Sequence, residues 1–266
     1  MTESPGRTGV DRRNALDDPG QWLKSTPLLD LEDPKLRLRA HALTQLCKND
    51  REKAMAIYGF VKRMPFHKPI KIRLRTAREV IDAGRGDAED KCTALIALLR
   101  ASDIPARIRY IELRGEILRG LTSGVASAVR SVAEIWLNDR WNSTDTYIFD
   151  AAYMAAARER LKKAGWDWGY GIHREGNMIW PGAGDAWLGG MPTDRDPMVM
   201  SDMGVYNDPM ELLDSAIWRA SYPRLARSVQ WNVLAPMMER VVRELREEAL
   251  APVPAPRASR PHRSGQ

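Results

Sequence analysis

Residues 84–107 read GRGDAEDKCTALIALLRASDIPAR. Asp87 followed by Asp90 is a capping pair, and Ala88, Cys92, Leu95, Ile96 and Leu99 then fall on one apolar face at helical spacing. The stretch therefore predicts a largely buried helix opening at Ala88. Upstream, Thr76 and Glu79 form a capping box for a short helix that stops at Gly84. Downstream, Ile104 to Glu112 reads as a strand, and Val129 to Leu137 with Arg140 to Thr144 reads as a hairpin turning at Asn138-Asp139. A two-residue turn there sets Asp145 opposite Val132 and diagonally across from Arg130, so the two charged side chains share a face and are predicted to pair.

The flanks extend this pattern. Asp33-Pro34 opens a helix carrying Leu36, Ala40, Leu43 and Cys47, with Cys47 packing as a small apolar side chain. Asn49 and Asp50 start a second, with Ala54, Ile57, Tyr58 and Val61. Ile70 to Arg75 alternates apolar with basic residues, which predicts an extended segment with a solvated basic face. Between Gly165 and Gly190, Trp166, Trp168, Trp180 and Trp187 stand among eight glycines. That composition predicts an irregular layer packed on the core, with a carbohydrate platform or ligand lid as the alternative. Pro209 to Ala220 and Leu225 to Leu250 read as helices, the second interrupted at Pro236. The expected organisation is a disordered N-terminus over 1–20, a core domain over 21–160, a Trp/Gly-rich and helical extension over 161–250, and a disordered, basic, proline-rich tail over 251–266.

Composition narrows the function classes. The 266 residues carry a net charge of +6, and the tail APVPAPRASRPHRSGQ holds three arginines and no acid, leaving +3 on the rest. Basicity spread in this way makes a nucleic-acid partner an unlikely expectation, since such binders concentrate charge on one folded face. No charge-free run approaches the roughly 20 residues of a membrane span, and the N-terminus shows no apolar leader, so the expectation is a cytoplasmic protein without a membrane partner. Cys47 and Cys92 are expected as thiols. The four scattered histidines and two distant cysteines give no metal-ligand spacing, and no phosphate or dinucleotide loop is present, so no cofactor is expected. Asp87, Glu89 and Asp90 read as first-turn acids that complement the helix dipole.

Taken with the strand pair VRSVAEIWLNDRWNSTDTYIFD, the quoted helix and its Ile-Pro-Ala-Arg exit resemble the catalytic core of the bacterial transglutaminase-like proteins, over about residues 49–150. That resemblance implies an α+β, papain-like scaffold shared with cysteine proteases and acyltransferases, in which a helix packs on an antiparallel sheet. It also implies a cysteine opening the helix, a histidine on the first strand of the pair and an aspartate on the next. Matched by spacing, the cysteine position is Ala88, the histidine position is Arg130, and the aspartate is kept as Asp145. A methyl group is no nucleophile, and a guanidinium with a pKa above about 12 is no general base near neutrality.

The resemblance therefore implies a degenerate triad and a pseudoenzyme that holds a small molecule or a protein in the former active-site cleft. Two alternatives stay open. Cys92, one helical turn deeper, could serve as a relocated nucleophile, although a buried structural thiol is the commoner role. Alternatively, Ala88 and Arg130 are engineered changes in an active enzyme. His173, in an aromatic, glycine-rich setting, is the histidine best placed to close over a cleft, while His41, His67 and His262 lie in a helix, a connection and the tail.

Overall fold

The computed structural model describes residues 18–221 and 224–250. A short 3-10 turn, Pro19–Leu23, is capped by the Asp18 side chain and buries Trp22, so ordered chain begins slightly ahead of the residue 21 boundary. The rest of the expected N-terminal disorder and the whole of the 251–266 tail lie outside the described residues. Four helices follow: α1 (Pro34–Thr44), α2 (Asp50–Arg63), α3 (Ala77–Ala83) and α4 (Ala88–Arg100). Each opens on the residue its sequence announced, with Asp33, Asn49, Thr76 and Asp87 accepting backbone N–H groups as N-caps. Gly84 closes α3 at φ +62, a left-handed turn that glycine adopts without strain.

The sheet runs β3-β2-β1-β6, antiparallel throughout. Its members are β1 (Ala106–Arg114), β2 (Ser127–Leu137), β3 (Arg140–Thr144) and, far along the chain, β6 (Val199–Tyr206). The β2–β3 hairpin has the register its turn dictates, Ala133 opposite Thr144 and Leu137 opposite Arg140. Asn138 and Asp139 both adopt positive φ, 53° and 56°, as a two-residue turn matched to the strand twist requires. Between the hairpin and β6 run α5 (Ala151–Ala164) and a two-stranded ribbon, β4 (Trp168–Gly169) with β5 (Ile172–His173). The chain ends in α6 (Pro209–Asp214), α7 (Ala216–Ser221) and α8 (Arg224–Leu250). No described helix is long and apolar enough to cross a membrane.

This is the α+β architecture the sequence implied, with α4 at its centre. Helices α1, α2 and α3 pack on one side of α4, and strands β1 and β2 on the other. Every residue from Asp90 to Arg100 is consequently buried, so α4 has no wet face and the expected single apolar stripe understates its enclosure. Two basic side chains inside it donate to carbonyls: Lys91 Nζ to Met64 O at 2.8 Å, and Arg100 Nε to Ala106 O at 2.9 Å and Nη1 to Lys24 O at 2.6 Å, while Arg100 Nη2 has no partner among the described residues.

Three local expectations change. Ile70 to Arg75 forms no strand, and its basic residues do not share one solvated face. Ile70 and Ile72 are exposed, Lys71 and Arg75 turn to the buried acids Asp87 and Asp90 at the start of α4, and the exposed Arg73 pairs with Glu79 on α3. Helix α8 runs through Pro236 without interruption. The helix expected over Pro209 to Ala220 breaks at Ser215, whose extended backbone and side chain end α6 and begin α7. Strand β6, from the segment read as an extension, pairs with β1 in the same sheet as the hairpin.

Leu95 is fully buried at the centre of α4. Truncation to alanine is expected to cost about 2–5 kcal/mol in urea unfolding, and a loss below 1 kcal/mol would contradict the central position of this helix. Lys62 supplies a pH test. Burial lowers its ammonium from 10.5 to about 8, while Asp150 and Asp145 oppose the shift. Between those values the unfolded chain binds more protons than the folded one, so stability rises with pH across that window, by up to about 3 kcal/mol. Burial lowers Lys91 as well, which acts in the same direction, so Lys62→Met is expected to flatten this rise without abolishing it when wild type and variant are unfolded side by side at pH 7.5 and 10.

Candidate functional site

The first turn of α4 is the most heavily charged interior position in the fold. Asp87 and Asp90 are each 2% exposed and cap one another's backbone: Asp87 Oδ1 accepts from Asp90 N, and Asp90 Oδ2 from Asp87 N, both at 3.2 Å. Four cationic contacts balance them. Lys68 Nζ lies 3.1 Å from Asp87, Lys71 Nζ lies 2.6 Å from Asp87 and 2.8 Å from Asp90, and Arg75 pairs with Asp90. Burial alone would raise the Asp87 carboxyl, yet Lys68 and Lys71 hold it far below the usual carboxylate range. The segment supplying these cations, residues 68–75, is strapped to α8 as well. Lys71 exchanges two backbone hydrogen bonds with the Asn232 amide, and Lys68 N donates to Glu239 Oε2 at 2.7 Å.

Ala88 is the first residue of α4, directly after this cap, and its carbonyl accepts from Ser131 Oγ at 3.4 Å. One residue before Ser131 on β2 stands Arg130, 6% exposed. Its guanidinium donates to Asp145 Oδ2 at 3.1 Å and to Gly171 O at 2.6 Å, so the pairing predicted from the hairpin is present. Asp145 is 2% exposed, and its other oxygen accepts from Leu188 N at 2.7 Å. Burial pushes its carboxyl upward, against the pull of Arg130 and the Leu188 amide. Gly171 sits at φ +80 with its α-carbon against Phe149, where a Cβ would come within 2.6 Å of that ring, so only glycine brings its carbonyl to Arg130 without displacing the aromatic.

Ala88 and Arg130 open onto one cavity of about 540 Å³. Its walls are mainly apolar, from Tyr110, Leu113, Ile117, Ala128, Phe149 and Leu212 among others, and Trp218 and Met238 line it from the C-terminal helices. The Trp/Gly-rich segment contributes Gly171 alone to this lining, so the alternative reading of it as a lid does not apply to this cavity, which α6, α7 and α8 line instead. Trp180 turns inward, fully buried against Tyr58, with its indole donating to Gly184 O. Among the described residues no group of three His, Cys, Asp or Glu side chains is placed to hold a metal ion.

The other sequence candidates stand away from the cavity. Cys92 is fully buried and outside the lining; burial pushes its thiol up to about 12, despite hydrogen bonds with Tyr147 and Ser131. His173 is buried on β5 beside Asp196, with Nε2 3.3 Å from Oδ1, and does not line the cavity either. His67 pairs with Glu239, and His41 lies on the exposed side of α1. Sequence reading missed Tyr110, the strap from Lys68 and the C-terminal helices as cavity walls. The chain brings these together from more than a hundred residues apart, and no local motif marks such a meeting.

Residues 37–146 match the model of the transglutaminase-like superfamily. Two solved structures resemble the chain. One is a candidate cysteine protease from Cytophaga hutchinsonii, 20% identical, covering 50% of this chain and 42% of its own, with a TM-score of 0.40. The other is a candidate protease from Parabacteroides distasonis, 16% identical, covering 48% of this chain and 25% of its own, with a TM-score of 0.33. This chain thus spans less than half the length of either. No curated protein matches it. Residues 37–146 carry a transglutaminase-like domain.

The full burial of Cys92 and the half-buried position of Cys47 predict a two-step alkylation. Iodoacetamide at pH 7.5 is expected to label one thiol of the native protein and the second only in denaturant, because a buried neutral thiol is inert. Rapid native labelling at Cys92, read by peptide mass, would contradict this burial. Asp145→Asn leaves the Arg130 cation buried without its counter-charge, and a loss of about 3–5 kcal/mol is expected in urea unfolding; an unchanged midpoint would contradict the pairing.

Proposed function

We propose that this transglutaminase-like domain does not perform thiol acyl transfer and uses the cleft beside Ala88 to bind a ligand. One observation carries the reading: Ala88 and Arg130, at the nucleophile and base positions implied by the family resemblance, wall the same cavity of about 540 Å³. That volume falls within the roughly 300–1,000 Å³ typical of small-molecule sites. Acyl transfer by a thiolate needs a sulfur at the helix start and a group that takes its proton. Here a methyl group occupies the first post. At the second, a permanent cation is held by Asp145 and the Gly171 carbonyl, so the aspartate neutralises an arginine instead of orienting an imidazole. Cys92 does not restore the chemistry, because its high thiol pKa and full burial leave it neither ionised nor reachable.

Binding and catalysis are tested separately. The neutral dye Nile red is expected to bind saturably at one site in the full chain. Ala128→Trp, which fills the cavity from β2, and Met210→Trp, at its exposed rim, are each expected to weaken binding at least tenfold with circular dichroism unchanged. For catalysis, p-nitrophenyl butyrate is expected to turn over no faster with the protein than in buffer. Turnover that disappears in Cys92→Ser would overturn the proposal, as would dye binding indifferent to both tryptophan variants.

A further inference from the structure

Resting on the binding role just proposed, we infer that the ligand of this cavity is an uncharged amphiphile: an alkyl chain lying on the apolar walls, with one neutral oxygen-bearing head, a hydroxyl or an amide carbonyl, at the Tyr110 hydroxyl. The wall chemistry selects the chain. Leu113, Ile117, Leu121 and Phe149 supply buried aliphatic and aromatic surface, and at the mouth Ile72 and Met210 are 101% and 44% exposed, leaving an apolar entrance.

The polar groups select the head. Tyr110 lines the cavity from β1, is wholly shielded from solvent, and its hydroxyl has no hydrogen-bond partner. Buried hydroxyls are ordinarily bonded, so an orphan on a cavity-lining residue is the group a ligand's acceptor or donor would satisfy once it displaces the contacts that shield this oxygen from water. It stands across the sheet from Ser131, whose own hydroxyl reaches the carbonyl of Ala88, which places it at the end of the cavity where α4 begins.

Charge at the head is disfavoured from both sides. The lining cations are already matched: Lys68 and Lys71 by Asp87, Arg73 by Glu79 and Arg130 by Asp145. A carboxylate head would thus enter an apolar space with no uncommitted cation among these four, and it would face Asp87 and Glu89. An ammonium head would face Lys68, Lys71 and Arg130. Either ion would surrender its hydration for too little in return, whereas a hydroxyl or an amide exchanges one hydrogen bond to water for one to Tyr110.

Displacement of Nile red from the full-length protein by four C12 probes, dodecan-1-ol, dodecanamide, dodecanoate and dodecylammonium, at pH 7.5 and below their micellar concentrations, tests the assignment. Both neutral probes are expected to bind at least tenfold more tightly than either ion. Tyr110→Phe, with its own Nile red affinity measured first as the reference for displacement, is expected to weaken both neutral probes about threefold to tenfold without lowering the unfolding midpoint. Equal or tighter binding of either ion overturns the inference, as does a Tyr110→Phe variant that binds the neutral probes like wild type; in both cases the cavity remains a binding site. If Nile red itself finds no saturable site, the binding reading falls together with the inference.

Discussion

Two carboxylates buried at the first turn of one helix govern the arrangement of the rest. Asp87 and Asp90 cap α4, and because neither can remain charged in the interior alone, they draw Lys68, Lys71 and Arg75 down onto them. That demand fixes the path of residues 68–75, and the strap so formed fastens α8 through Asn232 and Glu239. The same first turn presents Ala88 to the cavity. Cap, strap and C-terminal helix are thus one electrostatic assembly, and the pocket is the space it leaves against the sheet.

The second charged pair acts differently. Arg130 and Asp145 bridge the start of β2 and the end of β3 to the glycine-rich segment, through Gly171 and the Leu188 amide. The hydrogen bonds this pair makes tie the sheet to the glycine-rich segment, which supports the binding role proposed above. In an acyltransferase the aspartate would orient an imidazole; here it pairs with a guanidinium.

Much of this was legible in the sequence, and the reasons are local. N-caps such as Asp33, Asn49 and Thr76 and the Asn138-Asp139 turn report themselves because their geometry is satisfied within four residues. The Arg130–Asp145 pair followed from that turn, since fixing a hairpin's register fixes its diagonal neighbours. The strap was misread for the converse reason: its alternation is genuine, but which face is wet depended on acids more than ten residues away. Helix α8 passes through Pro236, which local propensity would have broken, because packing against α5 holds it. Tyr110 carries no local mark beyond its place in the strand read over Ile104 to Glu112, and only the meeting of β1 with α4 and the C-terminal helices shows a cavity-lining residue whose hydroxyl has no partner.

The proposed binding role stands or falls on whether the space beside Ala88 and Arg130 takes up a ligand. A crystal structure of the protein grown with dodecan-1-ol tests this most directly. The expected density is a chain lying between the first turn of α4 and the C-terminal helices, its hydroxyl within hydrogen-bond distance of Tyr110 Oη and the Arg130–Asp145 pair unbroken. A cavity collapsed onto Ala88 by Trp218 and Met238, with the alcohol absent or bound elsewhere, would contradict it.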